Sequence, residues 1–190
     1  REAKAGGGKR HTQNGGLLMI REIRFFLAAV LLVLLQVWVF NYIFLFKVAT
    51  PFVYIYTLML LPLNVSVSAL LWRAFIIGMF LDILSGVPGL HAASLTATAF
   101  VRNGLARPFL EKDSDLGYPP SARNLKVGIY VFVLELTIIH HLLLFILDSW
   151  SLSSVPYMLL RTGASILLTY LLLLIMNSLF GKRLKMPENE

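Results

Sequence analysis

Two long apolar segments of the chain meet in the sequence GMFLDILSGVPGLH, which runs from Gly78 to His91. Asp82 lies near the end of the first segment, where a carboxylate is costly unless protein or a wet cavity surrounds it. Gly86 and Gly89 allow a tight reversal of the chain, and Gly78 leaves space for the backbone one turn before Asp82 on nearly the same helix face. The stretch therefore predicts that one membrane-length helix ends here and the next begins.

The composition indicates a membrane protein. Of the 190 residues, 57% are hydrophobic and only 14% are charged, whereas soluble domains are nearer one quarter charged. The net charge of +7 comes from basic residues beside apolar segments, which favours a role in membrane topology over nucleic-acid binding. Cysteine is absent from the sequence, which excludes disulfides and thiolate metal sites within it.

The apolar pattern predicts an all-α integral membrane protein with six transmembrane helices in one domain, residues 19–186. Each segment reaches or approaches the ~20 residues that cross a bilayer. The second has about sixteen residues, between Pro51 and Pro62, and a re-entrant segment is the alternative for it. Residues 1–18 are polar and glycine-rich and are expected to be a disordered tail or an upstream remnant, and 187–190 a C-terminal tail. The predicted spans are about 25–46, 48–63, 65–84, 90–106, 127–147 and 155–180.

The positions of the basic residues favour six spans with both termini in the cytoplasm. Six spans place three basic clusters on one side and leave Lys47 as the basic residue of a loop on the other, whereas five spans would misplace a cluster. The clusters are Arg21 and Arg24, then Arg102, Arg107, Lys112, Arg123 and Lys126, then Lys182, Arg183 and Lys185.

Charged residues inside the spans predict two polar pairs. Arg73 and Glu135 lie about eight residues into the third and fifth spans, at similar depth, and are expected to form an ion pair or a water-linked equivalent. Asp82 is nine positions after Arg73 and therefore lies on the opposite side of the same helix. Arg161 of the sixth span is the best partner for Asp82 by depth.

Other polar residues have a structural and a functional interpretation. Ser165 and Thr169 follow Arg161 at helical spacing, and such a stripe more often bonds neighbouring helices than a ligand. Metal binding by His91, His140, His141 and Asp82 is disfavoured because adjacent histidines diverge by about 100° around a helix.

No catalytic set is assembled by the sequence. Ser85 is near Asp82 and His91, but no oxyanion device accompanies them, and neither a rhomboid-like Gly-x-Ser-x-Gly elbow nor a paired-aspartate protease motif is present. The chain is therefore expected to be non-enzymatic and to need no cofactor.

The hairpin sequence and the span layout from about Ile20 to Lys185 resemble the MreD family, the rod shape-determining membrane proteins of the bacterial cell-elongation machinery. The residues of this chain that match the family motif are Gly78, Asp82, Gly86, Gly89 and His91. Two features depart from the usual pattern: the third span begins with polar rather than basic residues, 64–68, and the sixth carries Arg161.

The resemblance implies a fold similar to the S components of energy-coupling-factor transporters and a location in the bacterial inner membrane. It implies a scaffold or regulator of lateral peptidoglycan synthesis that binds MreC most directly. RodA, a class B penicillin-binding transpeptidase and MreB would belong to the same complex.

Two other classes stay open at this point. A small-solute-binding subunit of a transporter should enclose an outer cavity around Asp82, His91, His140 and Arg161, whereas a scaffold should expose a helix face rich in small and apolar residues. A proton-linked transporter would need water to reach Glu135 from both sides of the membrane.

Overall fold

The computed structural model describes residues 7–43, 48–112, 114–122, 124–148 and 155–180. Within these ranges the protein is all-helical, as the sequence predicts. The α-helices are α1 (Gly7–Trp38), α2 (Tyr56–Met59), α3 (Val67–Ser85), α4 (Leu90–Ala106), α5 (Gly128–Asp148) and α6 (Val155–Phe180). Short 3-10 helices lie at Phe40–Tyr42, Val53–Ile55 and Arg107–Phe109.

Four helical segments are, by length and composition, able to cross a membrane, which is consistent with an all-α membrane protein. They are Met19–Tyr42, Val67–Ser85, Gly128–Asp148 and Pro156–Phe180. With 17 residues, α4 is shorter than these four, and its bounds coincide with the predicted 90–106. The six predicted spans are therefore represented by four long helices, one shorter helix and one segment of a different kind.

That different segment comprises residues 48–63, here called the central segment. A single long helix was predicted or, as the alternative, a re-entrant segment, but only Val53–Ile55 and Tyr56–Met59 are helical. Pro51 cannot donate a backbone hydrogen bond, and Pro62 disfavours helix at the residue before it, so a helix cannot extend far in either direction. Nearly every residue from Ala49 to Leu63 is buried. The central segment is thus part of the interior of the bundle.

Hydrogen bonds give the direction of the central segment. The Thr50 N–H donates to Ser165 Oγ (3.1 Å) and the Tyr56 hydroxyl donates to the Met176 carbonyl (3.4 Å), so the segment runs alongside α6 in the same direction. At its end, the Asn64 N–H donates to the Leu116 carbonyl at 2.9 Å, in the loop between α4 and α5.

The first helix is longer than predicted. It begins at Gly7, so α1 includes residues 7–18, whose composition predicts a disordered tail or an upstream remnant. Once a helix has formed over the apolar part, further residues can extend it without a new nucleation step. Lys47, Arg123, the basic cluster 182–185 and the predicted tail 187–190 lie outside the described residues.

The long helices pack in a simple order: α4 lies against α3 and α5, α5 against α6, and α1 against α3. On α4, Ala92 and Ala99 are buried, and such small side chains let neighbouring helix backbones come close together. This packing positions the α3–α4 turn and the buried polar residues behind it.

Candidate functional site

Asp82 caps the N-terminus of α4 from the neighbouring helix. Its Oδ1 accepts the His91 backbone N–H at 2.9 Å and its Oδ2 accepts the Ala92 N–H at 3.0 Å. These are free N–H groups of the first turn of α4, and Gly89, which precedes that turn, has no side chain to cap them. The His91 ring adds a third bond, from Nδ1 to Asp82 Oδ1 at 2.8 Å. The buried carboxylate therefore has its partners within the hairpin itself.

All three glycines of the motif help to form the junction between α3 and α4. A Cβ on Gly78 would lie 2.5 Å from Ala92 Cα and 2.8 Å from the His91 carbonyl oxygen, so α3 and α4 can cross here only without a side chain. Gly86 and Gly89 have φ of +69° and +83°, a backbone conformation that strains other residues. The structure thus brings together all five residues that match the family motif, at one helix junction.

The predicted Arg73–Glu135 pair is not present among the described residues. Arg73 Nη2 lies 2.7 Å from Glu22 Oε2 instead, and its guanidinium lies over the ring of Phe25 at 5.5 Å. Because α1 extends as a helix on the N-terminal side of Phe25, Glu22 comes within reach of α3. Glu135 is half-buried and makes no hydrogen bond or ion pair with any described residue.

The predicted Asp82–Arg161 pair is also wrong. Both oxygens of Asp82 are occupied by the start of α4, whereas Arg161 Nη1 lies 3.6 Å from Asp148 Oδ2 at the end of α5. The Arg161 guanidinium also lies over the ring of Phe145, 5.0 Å from its centroid. Similar depth was therefore not enough to identify the partner.

Five polar residues with no exposed surface form a central polar cluster in the core of the bundle. The Thr98 hydroxyl donates to the Ser94 carbonyl (2.7 Å), so it accepts the bond from His140 Nδ1 (3.2 Å). His140 Nε2 then accepts from the Tyr54 hydroxyl at 2.7 Å. His140 therefore joins the central segment to α4. The cluster consists of Tyr54, Thr98, His140, His141 and Thr169.

His141 joins a different pair of elements by the same kind of bonding. Its Nδ1 donates to the Thr137 carbonyl at 2.8 Å, and its Nε2 accepts from the Thr169 hydroxyl at 3.1 Å. The Thr169 oxygen in turn accepts the Phe52 N–H at 3.0 Å. Both histidines are thus satisfied core residues, as the sequence favoured, and each links helices through a fixed tautomer.

The non-helical start of the central segment depends on side chains from α1 and α6. Gln36 Oε1 accepts the Val53 N–H at 2.8 Å and Gln36 Nε2 donates to the Pro51 carbonyl at 3.0 Å. Within a membrane, irregular backbone is tolerated only where protein or water satisfies its polar groups. The stripe of Ser165 and Thr169 supplies the remaining bonds, which supports the packing interpretation over a ligand site.

Arg102 is buried at the other end of the central segment. Its guanidinium donates to the carbonyls of Leu61 and Pro62 and to Asn103 Oδ1. A cation is favourable next to backbone carbonyls that no helix satisfies. The sequence placed Arg102 among the basic loop residues, but the structure places it inside α4 with no exposed surface.

Four important residues were missed by sequence reasoning: Glu22, Gln36, Tyr54 and Arg102. Gln36 and Arg102 lie within apolar runs, and the rule that intramembrane polar residues have partners could have identified both. Tyr54 has no such signal, because one tyrosine in an apolar segment is ordinary.

Ser85, Asp82 and His91 do not share one chain of hydrogen bonds among the described residues. Among the described residues there is no group of three or more His, Asp or Glu side chains that could hold a metal ion. Ser85 Oγ accepts from Asn41 Nδ2 at 3.3 Å, on the α1 side of the hairpin, whereas Asp82 and His91 bond to each other. The Asp82–His91 bond thus joins α3 to α4, and the Asn41–Ser85 bond joins α3 to the segment after α1.

A groove of about 630 Å³ opens on the side of the bundle between α3, α4 and α5, here called the lateral groove. Its lining is almost entirely apolar, and the Thr96 hydroxyl within it bonds to the Ala92 carbonyl of its own helix. The small residues Ala92, Ala93, Thr96 and Ala97 of α4 form its floor, and the larger Phe100 and Val101 of the same helix continue the lining. The lining includes Leu71, Phe75, Ala93, Ala97, Ile139 and Leu143.

Comparison with known proteins gives no relative for this chain: no family model, no curated protein and no solved structure matches it.

Proposed function

We propose that this chain is a non-enzymatic membrane scaffold or regulator of the bacterial cell-elongation complex, binding MreC and supporting lateral peptidoglycan synthesis. The observation that carries the proposal is the α3–α4 junction. All five residues that match the MreD motif have a geometric task there: Asp82 and His91 join the helices, Gly78 permits their contact, and Gly86 and Gly89 form the turn. A motif whose residues shape a helix junction fits a protein that acts by presenting a binding surface.

The bonding of the polar residues favours a scaffold over a solute-binding subunit. A solute binder needs polar groups that converge on free space, yet Asp82, His91, His140 and Arg161 bond to protein atoms or lie against an aromatic ring. The lateral groove has the character expected of a scaffold, since it is apolar, open to the side and has a floor of small residues between larger apolar side chains.

The proposed location is the bacterial inner membrane, with six crossings and both termini in the cytoplasm. The direction of the central segment supports this topology, because it leads from the α6 side chains in mid-bundle to the loop between α4 and α5. At the opposite end of the bundle, Asn41 is hydrogen-bonded to Ser85.

Cysteine labelling from outside the cell tests the topology. We expect a membrane-impermeant maleimide to label Tyr42→Cys and Val87→Cys but not Asn64→Cys or Lys112→Cys in intact spheroplasts, and to label all four after permeabilisation. All four positions are exposed, and the sequence holds no other cysteine. Labelling of Lys112→Cys together with Val87→Cys would show that α4 does not cross, and labelling of Asn64→Cys would show the same for the central segment.

Affinity purification from the native membrane tests the function. The tagged protein, extracted in a gentle detergent, is expected to carry MreC with it, accompanied by RodA and its transpeptidase. Recovery of a paired ATPase and a membrane coupling subunit would contradict the proposal and support a transporter subunit. A tagged, unrelated six-helix membrane protein at equal abundance controls for unspecific recovery.

A further inference from the structure

We infer that the lateral groove receives one transmembrane helix of a partner chain, and that this helix carries a lysine or arginine opposite Glu135. The inference rests on the proposed function, in which the partner is MreC, and it names the surface and the chemistry of contact.

The shape of the groove suits a helix. Its floor is the part of α4 that carries Ala93 and Ala97, spaced one turn apart, and another helix backbone can approach closely there, before the larger Phe100 and Val101. Phe75 of α3 and Leu143 of α5 form the two walls. Helices in membranes associate through such close packing, because burial from lipid supplies little driving force of its own.

Glu135 supplies the charge at the edge of this groove. On α5 it lies four residues before Ile139, which lines the groove. It is therefore on nearly the same face as Ile139, about 40° further round the helix toward the side that faces away from the bundle. It is seven residues from the start of α5 at Gly128, which is about 10 Å along the helix axis. A carboxylate at that depth needs a partner.

The described part of the chain supplies no cation for Glu135. Arg73 is paired with Glu22, Arg102 bonds to carbonyl oxygens, and Arg161 is next to Asp148. A basic side chain from another helix would satisfy the carboxylate and fix the register of the contact.

Charge also argues against the other occupants of the groove. A lipid acyl chain would leave Glu135 facing hydrocarbon without a partner. A second copy of this chain, packed symmetrically through the same groove, would bring two Glu135 carboxylates toward each other, which is unfavourable. A single helix with a basic residue satisfies both the shape and the charge.

Photocrosslinking tests the inference directly. Ala97→Cys, in the groove, and Leu167→Cys, on the outward face of α6, are each labelled with benzophenone maleimide in membranes that contain MreC. We expect position 97 to crosslink to the transmembrane helix of MreC, as identified by peptide mass, and position 167 to give no such product. Adducts at position 97 with lipid alone, or with a second copy of this chain, would overturn the inference.

Variants of the groove give a second test. Glu135→Gln and Ala97→Phe should lower MreC recovery at least about tenfold, because one removes the charge and the other fills the floor. Glu111→Gln in the exposed loop and Leu167→Phe on α6 should leave it unchanged. Each variant is first shown to have the same unfolding temperature as the unmodified protein.

A charge exchange completes the design. Glu135→Lys should lose MreC, and an acidic residue at the crosslinked basic position of MreC should restore it. If the unmodified protein recovers MreC while all groove variants do so equally, the lateral groove inference fails and the proposed function stands. If the unmodified protein recovers no MreC, the proposed function fails and takes this inference with it.

Discussion

Gly78→Leu is expected to prevent the α3–α4 hairpin from forming and to abolish accumulation of the protein in the membrane. A Cβ alone at this position would lie 2.5 Å from Ala92 Cα and 2.7 Å from the Ala92 nitrogen. These are backbone atoms that cannot move aside as a flexible side chain does, so the helices must separate. Overpacking of a well-packed interior typically costs ~1–3 kcal/mol, and a backbone clash of this kind belongs at or above the upper end.

The matched control is another glycine of the same hairpin. Gly104 lies on α4, is exposed, and has no atom within 4 Å of the position of a Cβ. Gly104→Ala should leave stability unchanged or raise it by about 0.5–1 kcal/mol through helix propensity. Abundance in membranes and the unfolding temperature in detergent measure both variants. A Gly78→Ala protein as stable as Gly104→Ala would show that α3 and α4 do not meet at Gly78.

Most helix bounds could be predicted from the sequence, and the physical reason is clear. The fourth span matches α4 at both ends because Gly89 and the basic residues near Arg107 mark its limits. The fifth and sixth spans agree with α5 and α6 within one residue. Long apolar runs between polar ends have few alternative structures in a membrane.

The central segment could not be predicted, because its structure depends on residues far away in sequence. Its backbone at 50–52 is non-helical because Ser165, Thr169 and Gln36 are positioned to bond the N–H groups of 50, 52 and 53. Those partners lie on α1 and α6, more than a hundred residues apart from each other. Hydropathy alone measures how apolar the segment is, and it is as apolar as a membrane helix.

The polar pairs failed for a related reason. Depth along a span can be counted from the sequence, but a contact also needs the two side chains to face each other around their helix axes. Arg73 and Glu135 satisfy only the first condition. The hairpin motif was located correctly, yet the partner of Asp82 was sought on another helix rather than in the backbone of its own turn.

Asp82→Ala is expected to destabilise the protein by about 3 kcal/mol, because the change leaves two N–H groups of α4 and the His91 ring without their buried acceptor. Asp82→Asn should cost less, since its amide offers one oxygen but turns an NH₂ group toward the other N–H. Asp115 provides a matched control: it accepts the Gly117 N–H at 2.8 Å in an exposed loop, so Asp115→Asn should cost no more than about 0.5 kcal/mol.

A double-mutant cycle separates the two tasks of Asp82. If the carboxylate both caps α4 and binds the His91 ring, then Asp82→Ala with His91→Ala should cost less than the sum of the single changes, by about 1–2 kcal/mol. Unfolding in denaturant-containing detergent measures the four proteins. If MreC is the partner, as proposed above, then Asp82→Asn, studied below its own unfolding temperature, should still recover MreC, because the role of Asp82 is to hold the hairpin. Loss of MreC from a folded Asp82→Asn protein would instead place the carboxylate in a binding contact.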